Sequence, residues 1–221
     1  MTTPKNQTIK TVKVGDHIEI ANDRPFVLIG GPCQIESRDH AMKMAEAIKK
    51  ITDNLNIPYI FKASFDKANR TSINATRGVG IDEGLKILSE IRETFDQPVL
   101  TDLHTPAQAP VVAAVVDMLQ TPAFLCRQTD FLLAVGETGK PINVKKGQFL
   151  DPHGMAKVAE KIAATGNENI LLCERGTSFG YNTLINDMRA FPIMKQTGYP
   201  VVIDATHSVQ MPGALGDSTG G

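Results

Sequence analysis

The chain has 221 residues, with 23 Lys and Arg against 24 Asp and Glu, a formal charge of −1, 42% apolar residues and 21% charged residues. These ordinary globular proportions exclude intrinsic disorder, a coiled coil and a collagen-like repeat. A near-neutral balance exerts no long-range pull on a polyanion, and no apolar run approaches the roughly 20 residues of a membrane-spanning helix, so neither nucleic acid nor membrane is expected as a partner.

The opening segment, up to Ile20, is polar and charged, without the apolar core of a secretion signal. It contains Val12–Val14 and His17–Ile20 flanking Gly15-Asp16, which predicts a small hairpin placed to plug one end of a barrel. Seven apolar runs then follow: Phe26–Gly30, Pro58–Lys62, Pro98–Asp102, Val116–Gln120, Ile142–Lys146, Ile170–Arg175 and Val201–Asp204. Continuous rather than alternating hydrophobicity marks strands buried on both faces, as parallel strands under helices are. Between them, Ala41/Met44/Ala45/Ile48, Ile81/Leu85/Leu88/Ile91/Phe95 and Met155/Val158/Ala159/Ile162/Ala163 recur at helical spacing.

The pattern reads as one α/β domain over 1–221, either an open sheet or a (β/α)8 TIM barrel with an N-terminal hairpin. A barrel needs eight strands and about 250 residues. If this is a barrel, the chain ends after strand 7 and the strand 8 region is not in this sequence. Cys33, Cys126 and Cys173 are widely spaced in or beside apolar runs, which suits reduced thiols and a cytoplasmic location rather than a disulfide framework. Cys126 and Cys173 read as packing.

The residues that end the strands carry the chemistry. Gly31-Pro32-Cys33 follows the first run, Lys62 and Lys67 the second, Asp102 and His104 the third, Lys145-Lys146 the fifth, Glu174-Arg175 the sixth, and Asp204 to His207 the seventh. In parallel α/β folds these ends emerge on one face, where active sites are built. A charged residue at a strand end ordinarily marks only a solvated edge. A lysine at the inner end of a buried strand is a costlier stop than Gly, Asn or Asp, and here Lys62, Lys67, Arg70, Arg127, Lys145, Lys146 and Arg175 accumulate. Their natural counter-charge is an anion bearing carboxylate and more than one phosphate. Cys33 and His207 form a second pair, soft and borderline donors from the first and seventh strands, suited to a divalent transition metal but too few to make a site alone. No P-loop, no GxGxxG after a strand and no GxSxG elbow is present, so ATP, NAD and serine-hydrolase readings lack support.

The segments GGPCQIESRD (30–39), FKASFDKANRTS (61–72), PAFLCRQTD (122–130), NVKKGQFLDP (143–152), ERGTSFGYN (174–182) and IDATHSVQMPG (203–213) closely resemble the 3-deoxy-D-manno-octulosonate 8-phosphate synthase family. The likeness runs from about Asp16 to Gly221, and Lys67-Ala68-Asn69-Arg70 stands where the related erythrose 4-phosphate synthase has a KPRTS-like segment. The resemblance implies a (β/α)8 barrel, a homotetramer, and condensation of phosphoenolpyruvate with arabinose 5-phosphate, a step toward lipopolysaccharide. It implies that Lys62, Lys67, Arg127, Lys145 and Arg175 hold phosphoenolpyruvate, and that Asn69, Arg70 and Thr71 lie along the sugar phosphate, with Arg70 on its phosphate. Thr71 replaces the family's usual Ser and keeps the hydroxyl. Asp102 is implied near the sugar, and Lys62, Lys67, Asp102 and His207 as the catalytic set. Cys33 stands where metal-independent members have Asn, so the resemblance implies a divalent ion (Mn, Co, Zn or Fe) on Cys33 and His207. The family's two further ligands, a Glu and an Asp near strand 8, have no counterpart in this sequence.

Three rival readings remain at this stage: the same reaction on erythrose 4-phosphate, a lysine Schiff-base aldolase using Lys62 or Lys145, and a non-catalytic phosphosugar-binding fragment with two exposed sheet edges.

Overall fold

The computed structural model describes residues 8–214 and 219–220. The chain opens with β1 (Val12–Val14) and β2 (Ile18–Ile20), an antiparallel hairpin pairing Val12 with Ile20 and Val14 with Ile18. The main run follows: β3 (Leu28–Gly30), α1 (Arg38–Leu55), β4 (Tyr59–Lys62), α2 (Ile81–Phe95), β5 (Val99–Asp102), α3 (Ala109–Ala113), β6 (Met118–Thr121), α4 (Thr129–Gly136), β7 (Ile142–Lys145), α5 (Gly154–Ala163) and β8 (Ile170–Glu174). A second hairpin, β9 (Thr177–Phe179) and β10 (Thr183–Ile185), precedes α6 (Ala190–Lys195) and β11 (Val201–Ile203).

Seven strands make one all-parallel sheet in the order β11-β8-β7-β6-β5-β4-β3. Its neighbours are sequential strands linked by crossovers, as a barrel wall requires. The sheet curls into a half-barrel, because the loops beyond its two edge strands meet: Cys33, after β3, lies against His207, after β11. The TIM-barrel expectation is met in this form, with all seven expected strands present.

Alternation along the strands separates two cores. Tyr59, Phe61, Val99, Leu119, Ile142, Val144, Ile170 and Leu172 point outward and pack under the helices, whose buried stripes include Ala41, Leu88, Ile91, Val158 and Ile162. Ile60, Leu100, Met118 and Leu171 point inward, where they meet Val12, Val14 and Ile18 of the hairpin. The hairpin therefore plugs the N-terminal end of the sheet, as its position predicts. Helix α1 starts at a Ser37 cap that accepts the His40 amide at 3.2 Å, and it ends at Asn56 in the left-handed conformation.

The hairpin β9–β10 and the short helices α3, α4 and α6 add to the predicted elements. Among the described residues, no helix is long and apolar enough to cross a membrane. Cys126 and Cys173 are buried free thiols, as their packing role predicts, and burial pushes the Cys173 thiol up to about 12.

Candidate active site

At the C-terminal ends of the strands, the inward side chains change from apolar to polar. Gln120 and Asn143 pair above the apolar layer, Asn143 Nδ2 donating to Gln120 Oε1 at 3.0 Å. Above them Lys62, Asp102 and Lys145 end β4, β5 and β7, and Asp204 directly follows β11. A cavity of about 760 Å³ opens here, lined by Cys33, Lys62, Gln120, Asn143, Lys145, Asp204 and His207, and it extends along the edges of β3 and β11.

Two clusters form its charged wall. In the first, Ser64 Oγ receives hydrogen bonds from Lys62 Nζ at 3.0 Å and Lys67 Nζ at 2.7 Å, and donates to Asp102 Oδ1. Lys62 Nζ lies 3.8 Å from the same Asp102 oxygen, and His104 Nε2 lies 3.4 Å from the other. Burial lowers the Lys62 ammonium to about 8, against the opposing pull of Asp102. Burial alone would raise the Asp102 carboxyl, but the charges of Lys62 and Lys67 and the hydrogen bonds of His104 and Ser64 hold it well below the usual carboxylate range.

In the second cluster, Asp204 accepts from His207 Nδ1 at 2.8 and 2.9 Å and forms an ion pair with Lys145. That bond raises the His207 pKa and turns its Nε2 toward Cys33 Sγ, 3.6 Å away. The hydrogen bond from His207 outweighs burial and, with the charges of Lys67 and Lys62, lowers the Cys33 thiol to about 6. Gly31 makes the approach possible: at φ 150° its missing Cβ would lie 2.1 Å from the Lys62 carbonyl oxygen, so only glycine lets the chain cross Lys62 and deliver Cys33.

Arg175 is buried beside this wall. One nitrogen, Nη2, donates to Gln210 Oε1 at 3.3 Å, while Nε and Nη1 have no hydrogen-bond partner among the described residues. Buried donors without acceptors are costly, and an anion is the simplest group to satisfy both. The loop after Lys67 projects Asn69, Arg70 and Thr71 to the surface. An Arg77–Asp66 fork (2.8 and 2.5 Å) closes its base, and Arg70 Nη2 donates to buried Gln34 Oε1 at 2.6 Å.

The structure thus gathers Cys33, Lys62, Lys67, Asp102, Lys145 and His207 around one wall, with Arg175 adjoining. Arg127 is exposed and outside the residues lining the cavity. Lys146 departs from the expected positive face. Strand alternation sends it outward, away from Lys145, where it is fully buried 3.4 Å from Glu174 and unavailable to a ligand. Ser64 and Asp204 organise the wall; Asp204 is among the strand-end residues expected on this face, but neither belongs to the expected catalytic, substrate-binding or metal sets. The spacing of Lys62 and Ser64 places both on one face of an extended chain, and that was the signal available for Ser64.

The sequence matches the profile of the DAHP synthetase I family over residues 5–218. It is 62% identical over 217 residues to a 2-dehydro-3-deoxyphosphooctonate aldolase from Granulibacter bethesdensis, covering 98% of this chain and 77% of that protein. Proteins of the same name from Bartonella henselae (59% over 210 residues, 95% and 75% covered) and Magnetococcus marinus (57% over 219 residues, 99% and 74%) are similar throughout the same span.

Proposed function

Because the chain belongs to the DAHP synthetase I family, we propose from its site that it condenses phosphoenolpyruvate with D-arabinose 5-phosphate, giving 3-deoxy-D-manno-octulosonate 8-phosphate and inorganic phosphate. The carrying observation is the convergence of Lys62, Lys67, Lys145 and the half-satisfied Arg175 at the strand ends, on a chain 57–62% identical to enzymes named for the eight-carbon product. The name of those relatives favours the five-carbon acceptor over erythrose 4-phosphate, as does Asn69 in the Lys67–Arg70 segment.

In this reading C3 of the enol phosphate attacks the sugar aldehyde, water adds at C2, and the C2–O bond to phosphate breaks. Lys145, Lys67 and Arg175 neutralise the carboxylate and phosphate of phosphoenolpyruvate and follow the charge as phosphate leaves. Arg127 would join them from the rim. Arg70 takes the phosphate of the sugar, with Asn69 and Thr71 along its length. Lys62, lowered to about 8, holds a proton within easy reach of transfer to the alkoxide formed from the aldehyde. Asp102 holds Lys62 charged and, through Ser64, fixes the spacing of the two lysines.

Cys33 and His207 suit a divalent ion in donor type. The thiol is biased toward thiolate, and Asp204 fixes the His207 tautomer so that Nε2 is the donor that remains. They are two ligands, and among the described residues no group of three or more His, Cys, Asp or Glu side chains is placed to hold an ion. When bound, such an ion would orient the aldehyde or polarise water. A homotetramer and a cytoplasmic location accompany this proposal as parts of the same family reading. Coupled phosphate detection with the two sugar phosphates tests the function: activity with neither sugar overturns it.

A further inference from the structure

Lys145, which lines the cavity, and Arg175, buried beside its wall, are each followed or preceded by a residue facing the other way. Lys145 is followed by Lys146, and Arg175 is preceded by Glu174. On the outer side of the sheet Lys146 and Glu174 meet at 3.4 Å, with side-chain exposures of 0% and 3%. The ammonium of Lys146 also donates to Leu150 O at 3.0 Å, Thr177 Oγ1 at 3.1 Å, and Gly147 O and Gly176 O at 3.4 Å. It therefore joins the loop after β7 to the loop after β8. The carboxylate of Glu174 accepts the backbone amides of Arg175 at 2.9 Å and Gly176 at 2.7 Å, fixing the turn from which the Arg175 side chain departs.

We propose that Lys146 and Glu174 are positioning residues: a buried ion pair behind the barrel wall that sets the backbone of Arg175 and so holds its guanidinium in place beside the charged wall, where it can meet an anion. A buried pair of this kind is weak evidence for stability, since an apolar pair of similar volume often serves as well. Its geometry here is specific. Beyond Glu174 itself, the acceptors of Lys146 lie in the loop after β7 and in the Gly176-Thr177 step directly after Arg175, and both amides held by Glu174 belong to the turn bearing it. The inference rests on the anion-binding role proposed for Arg175, and not on which sugar is the second substrate.

The test is a double-mutant cycle in the full-length protein, read with two probes: phosphoenolpyruvate in steady-state kinetics, and inorganic phosphate by titration calorimetry. Glu174→Gln keeps an oxygen for the two amides and removes the charge that holds Lys146. Its KM for phosphoenolpyruvate is expected to rise about tenfold, the loss of one well-aimed charged hydrogen bond, with the sugar KM within about twofold. The phosphate Kd should rise in parallel. Added to Arg175→Ala, Glu174→Gln should cost nothing further in either constant, because it acts through the arginine. Lys146→Arg should restore much of what Lys146→Met loses. Additive losses in the double variant, or equal changes in both substrates' KM, would mean that the pair only holds the fold and would overturn the inference. Unchanged phosphate binding in folded Glu174→Gln and Lys146→Met would overturn it as well. A wild-type protein that binds phosphate through Arg175 but turns over neither sugar would remove the proposed function, and the phosphate titrations of the same variants would still decide this inference.

Discussion

Cys33 Sγ and His207 Nε2 are 3.6 Å apart, although 174 positions separate them in the chain. The first residue follows one edge strand of the parallel sheet and the second follows the other, so their contact measures how far the sheet has curled. The same contact joins the only two metal donors that the sequence resemblance implied within this chain.

If these donors hold a divalent ion, His207→Ala in the full-length protein lowers bound metal to a small fraction of wild type, read by elemental mass spectrometry of the purified protein. A strong chelator removes both metal and activity, and added Mn²⁺, Co²⁺, Zn²⁺ or Fe²⁺ restores part of the activity. Full turnover in exhaustively stripped, metal-assayed enzyme would reduce Cys33 and His207 to a thiol–imidazole contact.

Arg70 spends its hydrogen bonds on Gln34 and on the Thr76 carbonyl, a loop arrangement that a sugar phosphate would replace with a charged contact. Arg70→Ala should therefore raise KM for arabinose 5-phosphate by the equivalent of roughly 1.5–3 kcal/mol, while KM for phosphoenolpyruvate changes much less. Equal changes in the two constants contradict the assignment.

Lys62 carries a lowered pKa, near 8, so the free enzyme loses this proton as pH rises through that value. The kcat/KM profile should fall on its alkaline side near pH 8, and Lys62→Arg should move that limb upward by more than one pH unit. The stability effect has the opposite sense. Between about 8 and the ordinary value of 10.5 the unfolded chain binds a proton that the folded chain lacks, so Lys62's contribution to stability rises with pH there. Asp102 and Asp204 have depressed values, so their stabilisation is present above 3.8 and is lost as pH falls toward their folded values. Denaturant titrations across pH, comparing wild type with Lys62→Met and Asp102→Asn, separate these contributions.

Ile18 is buried against the inner layer of the sheet through the N-terminal hairpin. Ile18→Ala should cost about 2–4 kcal/mol in urea unfolding, yet leave both KM values of the remaining folded enzyme near wild type, because the plug lies at the opposite end from the charged wall. A selective loss of substrate affinity would show that the hairpin shapes the site.

Much of this was legible in the sequence. Strands buried on both faces announce themselves as unbroken apolar runs such as Ile170–Cys173, and an 18-residue helix such as α1 has length enough for its period to emerge. Helices of five to eight residues, α3, α4 and α6, do not. The β9–β10 hairpin has strands of three residues, too short for a period to show. The cluster of strand-end cations was visible as composition, but its facing was not. Lys145 and Lys146 are chemically alike and adjacent, and only strand register separates one that lines the cavity from one buried on Glu174. Asp204 read as a strand terminator because its partners, Lys145 and His207, come together only when the sheet curls.

The most direct measurement is phosphate release from phosphoenolpyruvate by full-length enzyme, with arabinose 5-phosphate and erythrose 4-phosphate compared under identical metal loading. The expected kcat/KM for arabinose 5-phosphate is at least about tenfold higher, one charged hydrogen bond's worth of discrimination, and no borohydride-trapped adduct is expected on Lys62 or Lys145. Preference for erythrose 4-phosphate, or a trapped lysine adduct formed at the rate of turnover, would contradict the proposed condensation.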